Sequence, residues 1–284
     1  MIDKPRIVIA SIARNIGDTF SKDYDRVLKA FSDFTIIKWI IVESNSTDNS
    51  LEVLKSYSDL DTKILFVSLQ SAKVNRNTRT IDLATARNKY LELFNEIRSV
   101  IEIDYLVVCD LNNLNNKLNK KAVQSCWTHN DWAAALANQN GPYYDIWALR
   151  HKFWNDFDCW ERYENLLKIY QKPSLALWDA VYSRMIKIPK NWNWIKVESA
   201  FGGIGIYRTA YLDNCKYEGT NTIGEQVCEH VSFNSGIIEN GGSIYINPKF
   251  INFNLTDHSR RRKFFRFYNL KYFIGQKTKV KIRK

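Results

Sequence analysis

The chain has 284 residues, 45% hydrophobic and 14% aromatic, so it can bury the core of one large domain, and its composition excludes a disordered or fibrous protein. The formal net charge of +11 is concentrated in residues 260–284, which contain eleven Lys or Arg and no acidic residue, so the preceding body is electrically balanced. The sequence contains no apolar run long enough for a membrane-spanning helix, and its five widely spaced cysteines favour a reducing, cytoplasmic compartment.

Short apolar runs alternate with helix-like segments over the first 115 residues. The predicted strands are residues 6–11, 36–42, 63–68 and 105–109, and the predicted helices are residues 18–31, 49–56 and 83–100. Strands that are apolar throughout and alternate with helices predict a parallel sheet covered on both faces. Because ligands of such sheets bind at the carboxyl ends of the strands, the polar residues that follow each strand become candidates for a site.

The turns after the first two predicted strands supply the first candidates. The first strand leads into Ala13 and Arg14, and the second leads into Glu43, Asn45 and a Ser-Thr-Asp-Asn-Ser stretch at residues 46–50. A carboxylate at a strand end can accept hydrogen bonds from a base imide or a ribose hydroxyl. The Ser, Thr and Asp of the stretch are better explained as caps of the following helix.

An arginine-rich segment, residues 76–88, lies between the third and fourth predicted strands and contains the string Ala-Arg-Asn. Arginine pairs with diphosphate oxygens through two parallel hydrogen bonds, and Arg79 and Arg87 are the residues best placed for this. The alternative for each of them is an ordinary arginine on the surface of a helix.

The fourth predicted strand ends at Asp110, and Asn112 follows two residues later. Oxygen-bearing side chains at alternate positions can hold a hard cation such as Mn²⁺ or Mg²⁺. Because an amide oxygen carries no charge, Asn112 binds a cation more weakly than a second aspartate. A metal-independent site that uses Arg and Lys instead stays open.

From residue 116 the alternation of strands and helices weakens, and Trp and Tyr become frequent. Aromatic faces stack on sugars, although any single Trp is more often part of a core. The glycine pair at 202–203 lets a backbone approach a ligand closely, or simply forms a tight turn. Residues 250–255 read as one further strand.

The order and spacing of these segments resemble the GT-A superfamily of glycosyltransferases over about residues 5–258. Three later segments, residues 143–150, 200–208 and 224–234, also look loosely like parts of the fungal capsule-associated mannosyltransferase-like family. The resemblance implies an α/β GT-A fold in three parts. Residues 1–115 form a Rossmann-like nucleotide-sugar-binding half, residues 116–258 a smaller acceptor-binding half with a mixed sheet, and residues 259–284 a basic aromatic tail.

The resemblance also implies roles for individual residues. The nucleotide sugar would be bound by Ala13, Arg14, Glu43, Asn45, Arg79, Arg87 and Asp110. The ligands of a Mn²⁺ or Mg²⁺ ion would be Asp110, Asn112 and His258. The acceptor would be bound by Asp145, Trp147, Gly202 and Gly203. Glu229 would be the catalytic residue, a general base in an inverting reaction, with Glu225 and His230 as competitors and a structural ion pair as the alternative.

The implied reaction moves a hexose from a uridine or guanosine diphosphate sugar to a hydroxyl of a glycan, a glycolipid or a glycoprotein. The mixture of aromatic and basic residues in the tail suits an anionic membrane surface, so peripheral attachment to a membrane is expected. A solvated basic terminus is the alternative for the tail.

Three other interpretations compete with this reaction. A nucleotidyltransferase shares much of the sheet but usually has a glycine-rich phosphate loop and a lysine near the first strand, whereas residues 10–17 contain one Gly and no Lys. A glycan- or nucleotide-binding scaffold would follow if Asn112 marks lost catalysis. Nucleic-acid binding would have to use the tail alone, because the balanced body supplies no basic face.

Overall fold

A computed structural model describes residues 4–69, 79–257 and 259–262, and strands alternate with helices through most of them. The strands are β1 Arg6–Ala13, β2 Thr35–Ser44, β3 Ile64–Leu69, β4 Tyr105–Cys109, β5 Ala134–Gln139, β6 Ile195–Val197, β7 Ile204–Arg208 and β8 Ile244–Phe253. The α-helices are α1 Phe20–Ala30, α2 Ser50–Leu60, α3 Arg79–Arg98, α4 Lys120–Gln124, α5 Cys159–Tyr170, α6 Pro173–Ala180 and α7 Glu229–Glu239. No helix in these ranges combines the length and apolar composition needed to cross a membrane.

The eight described strands form one mixed sheet in the order β3-β2-β1-β4-β7-β5-β8-β6. The strands β3, β2, β1 and β4 pair in parallel, whereas β7 runs antiparallel to both of its neighbours. At the far edge β8 is parallel to β5 and antiparallel to β6. The predicted α/β fold is therefore confirmed, and its parallel and mixed parts belong to one continuous sheet.

The four strands and three helices predicted in the first 115 residues are confirmed, with ends that differ by a few residues. β1 continues to Ala13, two residues beyond the predicted end at residue 11, because the ladder with β2 still pairs Ala13 with Glu43. Helix α3 begins at Arg79 rather than at residue 83. Its first turn is held by a tertiary contact, since the Thr80 hydroxyl donates to the Gly219 carbonyl at 2.6 Å.

Apolar side chains pack on both faces of the sheet. On one face Val8 and Val42 pack with Phe94 of α3, and on the other Ile9 packs with Phe20 of α1. The five cysteines are free thiols in the described ranges, and four of them are buried. Because both faces are covered, the carboxyl ends of the parallel strands are left as the place where polar groups can meet a ligand.

A chain of buried amide side chains connects the end of β4 to the turn before β7 and to β8. Asn252 donates to Asn115 Oδ1 at 2.8 Å and to the Gly202 carbonyl at 2.7 Å, and it accepts from Gln139 Nε2 at 3.2 Å. Asn115 in turn donates to the Asp110 carbonyl at 2.6 Å. Leaving one of these buried groups without a partner costs about 1–3 kcal/mol, so the chain fixes the strand ends relative to one another.

We predict that Asn252→Ala lowers the free energy of unfolding by about 2–3 kcal/mol, because it removes a buried side chain and leaves its partners unsatisfied. Urea denaturation followed by circular dichroism measures the change. The control is Asn254→Ala, an exposed position two residues further along the chain, whose side chain accepts a hydrogen bond from Asn140. Its free energy of unfolding should change by no more than about 0.5 kcal/mol. Equal changes in the two variants would contradict a structural role for the amide chain.

Candidate active site

A cleft of about 1100 Å³ opens at the carboxyl ends of the parallel strands. Its walls come from the turns after β1 and β4, from the amino-terminal half of α3 and from the start of α7. The rest of the wall belongs to residues 144–147, 159–160, 253, 255–257 and 260, together with a few apolar side chains. Ligand pockets usually measure about 300–1,000 Å³, so this cleft is large enough for a substantial ligand.

One buried arginine connects three elements at the wall of the cleft. Arg87 of α3 is 4% exposed, and its Nε donates to Glu229 Oε1 of α7 at 2.9 Å. Its Nη2 lies 3.3 Å from Asp110 Oδ1, just after β4. The guanidinium carbon also lies 5.3 Å from the ring centre of Phe201. Because buried charges are tolerated only when they are paired, this guanidinium sets the positions of both carboxylates.

The carboxylate of Asp145 lies near the carboxylates of Asp110 and Glu229. Asp145 Oδ2 accepts a hydrogen bond from the Gly202 amide at 2.9 Å. Burial raises the pKa of Asp145 to about 6, with the charges of Asp110 and Glu229 acting in the same direction. Burial also raises the pKa of Asp110, although the charge of Arg87 opposes the shift. Arg87 therefore pairs with Asp110 and Glu229, and Asp145 adds a third carboxylate to a cleft wall on which Arg14, Arg79 and Arg260 also lie.

The residue after Glu229 is a buried, neutral imidazole. His230 stacks on Phe201 with ring centroids 3.9 Å apart. Burial lowers the pKa of His230 well below its usual value, and the charge of Arg87 lowers it further. Neither ring nitrogen has a hydrogen-bond partner among the described residues. Glu225, the other competitor for the role of base, is exposed and bonded to Asn221, and it is not part of the cleft wall.

The turn after β4 presents Asp110 and Asn112 to the cleft. Asn112 and Asn113 have φ values of 67° and 60°, a left-handed conformation that asparagine adopts more readily than most residues. The buried carboxylate of Asp23 in α1 accepts from the Asn113 amide at 2.8 Å and so holds the turn in place. The backbone therefore gives a reason for asparagine at position 112.

The donor set at this turn fits a divalent cation that is shared with a ligand. Asp110 and Asn112 supply two oxygen donors, and Mg²⁺ commonly takes one or two carboxylates and completes its shell with phosphate oxygens and water. His258 lies outside the described residues, and within those residues no group of three or more His, Cys, Asp or Glu could hold a metal ion by itself.

The structure brings most of the predicted site residues to the cleft wall. Those that line it are Arg14, Arg79, Arg87, Asp110, Asn112, Asp145, Trp147 and Glu229. Those that do not line it are Ala13, Glu43, Asn45, Gly202 and Gly203. Their proposed contacts with a ligand stay predictions.

Three of the predicted site residues that do not line the cleft hold turns of the fold in place. The buried carboxylate of Glu43 accepts from the Ser46 amide at 2.7 Å and from the Ser68 hydroxyl at 2.6 Å, which closes the turn after β2. Gly202 and Gly203 have φ values of 75° and 95°, and they form the turn whose carbonyls the buried amides hold. They therefore support the wall.

Several residues that shape the cleft had no individual role in the sequence analysis. Tyr144 and Phe201 line it and fall within the segments 143–150 and 200–208, where only their neighbours were singled out. Asp257 and Arg260 line it as well and form an ion pair at 3.2 Å. Arg260 falls in the stretch that the sequence assigns to the tail, so the described start of that stretch contributes to the wall.

We predict that Asp145→Asn stabilises the fold increasingly as the pH rises. The amide can still accept from Gly202, but it has no charge to bury. Because the pKa of Asp145 is raised to about 6 in the folded chain, the native protein loses stability relative to the variant between about pH 4 and pH 7. The difference in the free energy of unfolding between Asp145→Asn and the native chain should grow by about 1–3 kcal/mol over that range.

Urea denaturation at a series of pH values measures this difference. Asp156→Asn, an exposed position in the same stretch of chain, is the matched control and should show no such trend. A difference between the native chain and Asp145→Asn that is independent of pH would contradict the burial of a charge at this position.

Comparison with known proteins finds several solved structures of limited similarity. No protein-family model matches the sequence, and no curated protein sequence matches it. The mannosyltransferase PcManGT from Pyrobaculum calidifontis, in complex with GDP-Man and Mn²⁺, is 11% identical with a TM-score of 0.47. TarS 1-349 of S. aureus is 14% identical with a TM-score of 0.44, and its complex with UDP-GlcNAc is 12% identical with a TM-score of 0.47.

These matches cover 89%, 85% and 85% of the present chain. They cover 57%, 57% and 55% of the solved chains, so the present chain spans little more than half of their length. At this level of identity the likeness concerns the arrangement of the fold alone.

Proposed function

We propose that this chain is a glycosyltransferase that moves a hexose from a nucleoside diphosphate sugar to a hydroxyl group of an acceptor. The observation that carries the proposal is an open cleft in which the buried Arg87 pairs with Asp110 and Glu229, while Arg14 and Arg79 are exposed on the same wall. Exposed arginines pair with diphosphate oxygens, and a divalent cation at Asp110 and Asn112 would neutralise more of the diphosphate charge. The carboxylates of the wall would stabilise a sugar ring that becomes positive as its bond to the diphosphate breaks.

The donor would bind along the turns after β1 and β4. Asp110 and Asn112 would hold Mn²⁺ or Mg²⁺, and when bound the cation would neutralise the departing diphosphate. Arg14 and Arg79 are exposed on the cleft wall and would pair with diphosphate oxygens. Because Arg87 is already engaged with two carboxylates, we assign it the positioning of those groups. The donor base, uracil or guanine, is left to experiment.

The acceptor hydroxyl would meet Glu229. A carboxylate has about four lone-pair sites, so the bond from Arg87 to Oε1 leaves capacity for a hydroxyl donor. In an inverting reaction Glu229 takes the proton from that hydroxyl while the diphosphate leaves. In a retaining reaction it orients the acceptor. The acceptor would be a glycan, a glycolipid or a glycoprotein, and the basic tail would bring the enzyme to an anionic membrane surface.

A second candidate function is a binding scaffold without turnover. The observation that favours it is the neutral amide of Asn112 where a second carboxylate would bind a cation more tightly. Such a scaffold would bind a nucleotide sugar with a metal and release no nucleoside diphosphate.

We predict metal-dependent release of UDP or GDP when the full chain is incubated with uridine or guanosine diphosphate sugars and Mn²⁺. Asp110→Asn should reduce this turnover at least about 100-fold, because it removes charge from the cation site. Asp213→Asn, an exposed aspartate that pairs with Arg98, is the control and should keep native turnover.

The release of nucleoside diphosphate is measured with and without a chelator. Binding without turnover in the native chain would favour the scaffold. A chain that neither binds nor turns over any sugar nucleotide would contradict both candidate functions.

A further inference from the structure

Two tryptophans stand at right angles in the cleft wall, close in sequence to Asp145. The ring centroids of Trp147 and Trp160 are 6.4 Å apart and their planes make an angle of 89°. Both side chains line the cleft, and Trp160 is 43% exposed. We call this pair the tryptophan corner. The open face of Trp160 gives the cleft wall an aromatic surface that a ligand can cover.

A single carboxylate holds both tryptophans. Asp158 Oδ2 accepts from Trp147 Nε1 at 2.9 Å, and Asp158 Oδ1 accepts from the backbone amide of Trp160 at 2.8 Å. Arg150 pairs with Asp158 Oδ2 at 2.8 Å, and the side chains of this pair are only 12% and 11% exposed. Charge-assisted hydrogen bonds to a nearly buried group are short and directional. The Trp147 ring and the backbone at Trp160 are therefore held in place before a ligand arrives, which reduces the entropy cost of binding.

The groups around the corner are both apolar and acidic. Ile146 and Met185 line the cleft with it, and the carboxyl of Asp145 lies two residues before Trp147. A pyranose ring has C–H groups on its faces and hydroxyls around its rim. The C–H groups carry partial positive charge and suit the negative face of an indole, and the hydroxyls can donate to a carboxylate. A lipid chain would contact the indoles but has no hydroxyl group to donate to the Asp145 carboxylate.

We propose that the tryptophan corner binds a hexopyranose ring of the acceptor, which makes the acceptor a saccharide. The inference rests on the proposed function in assigning that ring to the acceptor. The position of the corner supports this assignment. Trp147 lies two residues after Asp145, and the charge of Asp145 interacts with that of Glu229, the group that would meet the reacting hydroxyl.

Saturation-transfer NMR on the full chain tests the ligand class. The probes are methyl glycosides and neutral disaccharides of glucose, mannose, galactose and N-acetylglucosamine, with octyl phosphate as the lipid-like probe. We expect at least one saccharide to bind, with stronger saturation of the protons on one ring face. Trp160→Ala should weaken that binding roughly tenfold, and Trp160→Phe should weaken it less because it keeps an aromatic face.

Trp192→Ala is the matched control, since Trp192 is 49% exposed but is not part of the cleft wall. Equal binding by Trp160→Ala and Trp192→Ala would overturn the inference, and so would binding of octyl phosphate without any saccharide. Release of nucleoside diphosphate by the native chain, measured without a saccharide, tests the proposed function separately. Donor turnover without saccharide binding contradicts the inference alone, whereas saccharide binding without donor turnover contradicts the transferase.

Discussion

The site depends on the pairing of one buried guanidinium with two carboxylates. Arg87 reaches from α3 to Asp110 at the end of β4 and to Glu229 at the start of α7, and all three elements meet the cleft there. Without it, two carboxylates would share a poorly hydrated space and repel each other. Burial also shifts the pKa values of two other groups at this wall. It raises the pKa of Asp145, where the charges of Asp110 and Glu229 act in the same direction, and it lowers the pKa of His230, where the charge of Arg87 acts in the same direction.

Much of the first half of the chain could be predicted because its signals are local. Apolar runs identified β1 to β4, and the rule that ligands bind at the carboxyl ends of parallel strands led directly to Asp110. Contacts between distant residues could not be predicted in this way. Asn252 reaches Asn115 across 137 residues, and Asp23 reaches the turn at Asn113 across 90. Neither side chain carries a local pattern that shows its partner.

Residue type also proved ambiguous where the fold and a ligand could use the same group. Glu43 has the chemistry to bind a nucleotide, yet its carboxylate closes the turn after β2. Trp160 has the chemistry of a core residue, yet it is left open beside Trp147. Burial and orientation decide between such uses. In the account proposed here, the cation and donor lie by Asp110 and Asn112, the acceptor lies by the tryptophan corner, and Arg87 and Glu229 stand between them.

The most direct test of this account is a double-mutant cycle on Arg87 and Glu229, measured as the free energy of unfolding at neutral pH. Arg87→Met alone should cost about 3–5 kcal/mol, because it leaves buried carboxylates without their partner. The double variant Arg87→Met, Glu229→Gln should cost less than the sum of the single changes by at least about 1 kcal/mol. Additivity within about 0.5 kcal/mol would show that the guanidinium does not organise the carboxylates, and it would contradict the central claim.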